Sequence, residues 1–210
     1  MFSLDTSVPA ELGPLSWLIG VWEGTGVIDY LVDADGDAEP VHRSAEFGQR
    51  VSFSHDGLPY LNYSSSTWLL TEGAPADEAP PVHVAESGYW RLHRPAVESD
   101  PGPGMLPGVG PGGSTTADDV EAMRNADGGF DIEVSILHPS GVCELYLGQV
   151  KGPRIDLATD AVLRSASAKE YTAATRLYGL VDGHLLWAWD IAALGQDLRT
   201  HASARLARAD

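Results

Sequence analysis

A succession of ten short runs rich in β-branched and aromatic residues constrains the fold of this chain more than any other feature. Short hairpins force successive strands to be antiparallel, so strand order along the chain should match strand order around the sheet. Closure of such a sheet removes its exposed edges. The pattern therefore predicts an all-β fold, a ten-stranded antiparallel up-and-down β-barrel. We predict its strands at Trp22–Leu31, Glu46–Ser54, Tyr60–Leu69, His83–Leu92, Gly129–Leu137, Val142–Val150, Arg154–Ala158, Lys169–Leu180, His184–Ile191 and Arg199–Ala207.

Turn chemistry supports the hairpins. Asp56-Gly57 and Asp182-Gly183 favour tight turns, because both central positions of such turns need positive φ. Pro139-Ser140-Gly141 is expected to serve the same purpose between two further strands. The Ala-rich stretch Ser165–Ala174 has helical propensity, but it runs directly into a β-branched and aromatic segment, so we predict a strand there.

Two segments interrupt the pattern within what we expect to be a single domain, residues 1–210. The apolar segment Pro9–Gly20 is predicted to form a short helix or turn that plugs one end of the barrel. Residues 97–126, most strongly Asp100–Asp119, are rich in Gly and Pro with little to bury. We expect this insertion to be disordered, with a functional lid as the alternative.

Composition excludes several functions. The formal net charge is −17, with 30 acidic residues against 13 basic ones, and such a surface repels phosphate backbones. No apolar run approaches the roughly 18 residues of a membrane span. We therefore expect no nucleic-acid or membrane partner. The N-terminus has no visible signal peptide, which favours a cytoplasmic protein. A single cysteine excludes an internal disulfide and a thiolate cluster.

The first predicted strand begins with Gly20, Trp22, Gly24 and Gly26. The two-residue period of a strand places Trp22 and the glycines that follow it on one face. Glycines on that face leave open volume, which suits a wall against which another group fits closely. A glycine kink needed only to close the barrel is an equally good interpretation.

The last predicted strand carries His201, Ser203 and Arg205, which share a face by the same period. If that face points inward, an imidazole lies in the barrel interior. Arg205 would then lie deeper and is expected to stack on Trp22 at the closed end, as a cation–π pair.

These pieces, taken together with others in the same order, resemble the nitrobindin family of haem-binding barrels, which are similar in fold to fatty-acid-binding proteins and lipocalins. GxW alone is a weak signal, since lipocalins also carry it, but the ordered set covers nearly all of the chain outside the insertion. The matching pieces are GVWEGTG from Gly20, GLPYLNY from Gly57, Thr67-Trp68, HVAESGYWR from His83, HPSG from His138 with Glu144, Ala168-Lys169, and HASARL from His201.

The resemblance implies a ferric haem b whose iron is held by His201. Catalysis would take place at this iron, so His201 would be catalytic through its bond to the iron. It also implies nitric oxide binding, isomerisation of peroxynitrite to nitrate, and a homodimer. Lys169 would be a cation for a haem propionate, although an ordinary solvated lysine is an equal interpretation. The partner of the second imidazole nitrogen stays open between a backbone carbonyl and Thr200.

Other residues compete for these roles. Among the histidines, His83 is the strongest rival to His201, because it begins a strand. The others adjoin predicted turns or loops, and those beside hairpin turns are expected at the rim in solvent: His42 and His93, then His55, His138 and His184. Glu86 and Glu144 lie on different strands, and the sequence does not bring them together as a catalytic pair. The alternative function is a carrier of a fatty acid, whose carboxylate would be clamped by Arg176 or Arg205.

Overall fold

Ten antiparallel strands close into a barrel in the computed structural model, which describes residues 8–32, 41–70, 82–110 and 115–209. Each strand pairs with the next along the chain, and β1 pairs with β10 to close the sheet. All ten predicted strands and their order are confirmed, but the prediction of a strand throughout Ser165–Ala174 is wrong, because residues 165–170 form the β7–β8 connection and the strand begins at Tyr171. The strands are β1 Gly20–Val32, β2 Val41–Ser54, β3 Leu61–Leu69, β4 Val84–Leu92, β5 Phe130–His138, β6 Val142–Lys151, β7 Arg154–Arg164, β8 Tyr171–Val181, β9 His184–Ala193 and β10 Arg199–Ala209.

Two of the predicted turns form as expected. Asp182 and Gly183 take φ values of +50° and +74° between paired residues Val181 and His184, which is a two-residue hairpin. Gly141 takes φ +86° in the three-residue turn between β5 and β6. The prediction of a tight hairpin at Asp56-Gly57 is wrong, because residues 55–60 form a wider connection between β2 and β3.

A 3₁₀-helix at Ala10–Leu18 covers one end of the barrel, as the apolar segment predicted. Leu12, Leu15 and Leu18 are fully buried, and each contributes about 1.5–3 kcal/mol through the apolar surface that it removes from water. The indole of Trp22 donates a hydrogen bond from Nε1 to the carbonyl of Leu18 at 2.8 Å. The hydrogen bond thereby joins the 3₁₀-helix to the first strand of the barrel wall.

The Gly- and Pro-rich insertion lies between β4 and β5. Its described part contains a short 3₁₀-helix, Pro103–Met105, and helix α1, Ala117–Glu121, which begins with a capping box of Thr116 and Asp119. Val120 of α1 is only 5% exposed and belongs to the core. Disorder of the insertion as a whole, and its role as a lid, stay predictions.

The cation that packs on Trp22 differs from the predicted one. Arg208 lies over the Trp22 ring, with its guanidinium carbon 4.7 Å from the ring centroid. Arg205 is exposed, and its Nη2 lies 3.1 Å from His184 Nδ1 on the outer surface. The prediction of an Arg205–Trp22 pair is therefore wrong.

No helix within the described residues is both long enough and apolar enough to cross a membrane.

Candidate functional site

A cavity opens at the end of the barrel opposite the 3₁₀-helix. Its lining includes the last part of β1 and β3 and the first part of β4 and β10, which antiparallel pairing places at one end of the barrel, together with residues of β2, β8 and β9. Most of the lining is aromatic or aliphatic, which is typical of a pocket for a small organic ligand. Its apolar wall includes Ile28, Phe47, Trp68, Val84, Trp187 and Trp189.

His201 lines this cavity because β10 contains a β-bulge. The register between β10 and β9 shifts between Thr200 and Ala202, so His201 is an extra residue in the ladder. Beyond the bulge, Ala202 and the alternate residues that follow it face the core, whereas Ser203 and Arg205 are exposed. The predicted inward face of β10 is thus wrong for Ser203 and Arg205, while the bulge brings His201 to the cavity.

The imidazole of His201 is held at one nitrogen. Nδ1 donates a hydrogen bond to the carbonyl oxygen of Asp29 on β1 at 3.2 Å. The ring also lies edge-to-face against Trp189, with the ring centroids 5.5 Å apart. The sequence left two partners open for this imidazole nitrogen, a backbone carbonyl and Thr200, and in the structure the partner is a backbone carbonyl.

Protonation of His201 is disfavoured. Burial lowers the pKa of the imidazole, outweighing the opposite effect of the hydrogen bond to Asp29. A neutral ring that donates from Nδ1 carries its lone pair on Nε2. Within the described residues, no hydrogen bond involves Nε2. This nitrogen therefore has the free lone pair that a metal ligand needs.

A buried ionic cluster lies beside the cavity and was missed in the sequence. Arg176 Nη2 and Nη1 lie 2.8 and 3.0 Å from the two carboxylate oxygens of Glu86, a bidentate pair. Arg176 Nη2 also lies 3.4 Å from Glu144. One guanidinium thus joins Glu86 and Glu144 across the barrel interior, a proximity that the sequence did not show. All three side chains are at least nine-tenths buried.

Tyrosine hydroxyls complete the hydrogen bonding of the two carboxylates. Tyr63 donates to Glu86 at 2.7 Å, Tyr146 donates to Glu144 at 2.5 Å, and Tyr171 also donates to Glu144. Burial raises the pKa of each of these phenols, so they stay neutral. The pKa of Glu86 falls to about 2, since Arg176 outweighs the opposing effect of burial. The cluster therefore combines one guanidinium with two ionised carboxylates.

His138 belongs to this cluster, although the sequence suggested a solvent-exposed position at the rim. Its side chain is 10% exposed, and Nε2 lies 2.6 Å from Glu144 Oε2. The ring stacks on Trp189 at a centroid distance of 6.1 Å and an interplanar angle of 12°. The prediction for His138 is wrong because its ring turns inward from the end of β5.

The other histidines do not reach this arrangement. His55 and His184 lie beside their turns, partly buried, and His42 and His93 are exposed. His83 is exposed at the mouth of the cavity, and among the described residues it is the one histidine besides His201 that lines it.

A sequence signal for the cluster did exist. Glu86, Glu144 and Arg176 each occupy an inward position of an alternating strand, between apolar neighbours two residues away. A charge at such a position needs a buried partner.

The two arginines proposed to clamp a fatty-acid carboxylate are differently placed. Arg176 is already bound to Glu86 and Glu144, and its guanidinium lies 4.2 Å from the centroid of the Trp189 ring. Arg205 is exposed outside the barrel. Lys169 is exposed in the β7–β8 connection, at the same end of the barrel as the cavity but outside its lining.

The glycines of the first strand make room for β10. A Cβ atom on Gly24 would lie 2.2 Å from the carbonyl oxygen of Arg205, and one on Gly26 would lie 2.3 Å from that of Ser203. Gly20 takes φ +134°, which favours glycine. The structure thus favours the interpretation that these glycines permit barrel closure between β1 and β10.

Comparison with known proteins places this barrel in a class. The family model described as "THAP4-like, heme-binding beta-barrel domain" matches residues 11–208. The fold and the match define a haem-binding β-barrel protein. The chain belongs to this family of THAP4-like, heme-binding β-barrel domains, which confirms the resemblance drawn from its motifs.

Curated relatives share nearly the whole chain. A peroxynitrite isomerase of Leifsonia xyli subsp. xyli is 66% identical over 210 residues, covering 100% of both chains. One from Clavibacter michiganensis subsp. michiganensis is 63% identical over 210 residues, again covering 100% of both. One from Kocuria rhizophila is 54% identical over 206 residues, covering 98% of this chain and 94% of the relative.

A solved structure agrees with the fold. The crystal structure of Rv2717c from M. tuberculosis aligns with a TM-score of 0.64 at 26% sequence identity. The alignment covers 97% of this chain and 100% of that one. This chain therefore shares its barrel fold with a protein whose structure was determined by crystallography.

Proposed function

We propose that this chain is a haem-dependent peroxynitrite isomerase, in which His201 holds the iron of a ferric haem b. The observation that carries the proposal is the neutral imidazole of His201, which lines the cavity and is fixed through Nδ1 by the carbonyl of Asp29. The full-length relatives named peroxynitrite isomerase support the same activity.

The chemistry of the cavity fits a haem group. One neutral nitrogen donor, that of His201, would suit a single protein bond to the iron of a bound haem, and the carbonyl of Asp29 orients its ring through the other nitrogen, as in many metal sites. The surrounding aromatic and aliphatic side chains suit the flat apolar body of a porphyrin. Trp189 fixes the orientation of the His201 imidazole through the edge-to-face contact between the two rings.

The chain contributes binding, orientation and exclusion of water. Ferric haem, when bound, supplies the iron at which the oxygen–oxygen bond of peroxynitrite breaks and nitrate is released. The apolar wall limits competition by water at the site. An isomerisation needs no net proton transfer, so the ionic cluster around Arg176 has no necessary role as a general acid or base.

Hemin titration of the purified apoprotein tests the proposal. The native protein should give a sharp Soret band at one equivalent, and His201→Ala should lose it. His83→Ala is the matched control, because His83 lies at the mouth of the same cavity and should bind hemin normally. A native Soret band in His201→Ala, or its loss in His83→Ala, would assign the iron to another residue.

Several finer points belong to the same proposal. Nitric oxide is expected to bind the loaded protein, and Lys169 is expected to pair with a haem propionate from the β7–β8 connection. A homodimer and a cytoplasmic location also stay predictions. No feature of the described residues favours the fatty-acid carrier, since both of its candidate arginines are otherwise placed.

A further inference from the structure

Two polar side chains line the His201 cavity and are almost completely buried. Gln49 and Ser65 are each 4% exposed. Gln49 Nε2 lies 2.9 Å from Ser65 Oγ, and Trp187 Nε1 donates to Gln49 Oε1 at 2.7 Å. The indole hydrogen of Trp187 can only be donated, so it fixes which end of the amide is oxygen. The amide nitrogen of Gln49 is thereby directed to Ser65.

This arrangement leaves hydrogens without acceptors. The Gln49 amide has two N–H groups, and one of them is used by Ser65. Ser65 accepts that bond, and its own hydroxyl hydrogen has no acceptor within the described residues. Trp189 also lines the cavity, and its buried Nε1 has no partner in the described part of the chain. An unpaired buried donor costs about 1–3 kcal/mol, so a ligand that supplies an acceptor is favoured.

Among the described residues, no carboxylate accepts a hydrogen bond from these three side chains. Glu86 lines the same cavity, but its two oxygens accept hydrogen bonds from Arg176 and Tyr63. The unpaired hydrogens of Ser65, Gln49 and Trp189 therefore indicate that an oxygen-bearing ligand is supplied from outside the protein.

We infer that Ser65, Gln49 and Trp189 form a subsite that binds the oxygen atoms of a small nitrogen oxyanion in the His201 cavity. Trp187 is the positioning residue, because it orients the Gln49 amide without needing to touch the ligand. The subsite rests on the proposed function, since it names where the oxygens of that substrate class are held. It would favour an oxyanion over a neutral diatomic ligand of similar size, which makes weaker hydrogen bonds.

Nitrite titration of the hemin-loaded full-length protein, followed by the shift of the Soret band, tests the subsite. Ser65→Ala should weaken nitrite binding about tenfold, the typical effect of one hydrogen bond to a charged group. Ser64→Ala is the matched control, because Ser64 is the neighbouring serine on β3 and is exposed outside the barrel. Nitric oxide affinity should be the same in the native protein and both variants.

A second pair of variants keeps the test independent of Ser65. Trp189→Phe removes an unpaired indole hydrogen from the cavity and should weaken nitrite binding several-fold. Trp90→Phe removes another buried, unpartnered indole hydrogen, in the core against Phe53, and should leave nitrite binding unchanged. This comparison separates loss of a donor at the site from a general change in the core.

Two outcomes would overturn the subsite. Native nitrite affinity in both Ser65→Ala and Trp189→Phe would mean that neither donor binds the oxyanion. Equal weakening of nitrite and nitric oxide would mean that the variants alter the shape of the cavity. Either result leaves the proposed function standing if His201→Ala still loses the Soret band. A native Soret band in His201→Ala would instead remove the proposed function.

Discussion

Replacement of Arg176 by Met should strongly destabilise the barrel, because it leaves two buried carboxylates without their cation. Removal of one partner from a buried ion pair typically costs about 3–5 kcal/mol. The pKa of Glu86 gives a similar magnitude, since its fall from 4.5 to about 2 corresponds to about 3 kcal/mol of folding stability. Arg176 also packs on Trp189, so the loss includes a cation–π contact.

The loss of folding stability in Arg176→Met should change with pH in a defined direction. Glu86 has a lowered pKa in the folded protein, so its stabilising contribution is complete above about pH 4.5 and is lost as the pH falls toward 2. In Arg176→Met, burial still raises the pKa of Glu86, and only the smaller effects of His138 and Tyr63 oppose it, so acidification protonates the buried carboxylate and should stabilise the variant. The stability difference between native protein and variant should therefore narrow from pH 7 to pH 4.

Urea unfolding followed by circular dichroism measures both effects. Arg205→Met is the matched control, because Arg205 is exposed on the outer surface and should change the unfolding free energy by less than about 1 kcal/mol. A loss below about 1 kcal/mol in Arg176→Met at pH 7 would refute the reasoning. A difference from the native protein that does not change with pH would refute the assignment to Glu86.

Two further predictions concern His201. Deletion of Thr200 lets His201 take its place opposite Asp190 and leaves no extra residue in β10, so regular alternation from Ala202 should turn His201 outward and abolish the Soret band while the circular dichroism stays that of a barrel; a native Soret band would contradict this. An ordinary imidazole is half-protonated near pH 6.5, whereas burial lowers the pKa of His201 and should keep its ring neutral there. The loaded protein should therefore keep its Soret band at pH 6.5 and lose it only at lower pH. Loss of the band above pH 6.5 in a spectral titration would show that burial does not protect His201 from protonation.

The barrel was predictable because its determinants are local. Enrichment in β-branched and aromatic residues identified every strand, and the Asp182-Gly183 turn fixed a hairpin through backbone φ alone. The extension of β7 to Arg164 was missed, since residues beyond Ala158 become a strand only through pairing with β6 across a bulge at Leu145 and Tyr146. Local propensity carries no information about such pairing.

The site was only partly predictable, because contacts across a barrel depend on geometry in three dimensions. His201 was identified from its motif, whereas the bulge that brings it to the cavity exists only in the pairing with β9. Glu86, Glu144 and Arg176 each carried a warning, namely a charge on an apolar face. Nothing in the spacing of three separate strands indicated that these charges meet.

The two ends of the chain form one structural unit at the site. Gly24 and Gly26 allow the backbone of β10 to approach β1, and β1 also supplies the Asp29 carbonyl that holds His201. A larger residue at either glycine would separate these strands and move the ligand away from the atom that orients it. The glycines of the first strand and the histidine of the last therefore depend on the same strand pairing, which explains how a motif that closes the barrel also positions the nitrogen donor in its cavity.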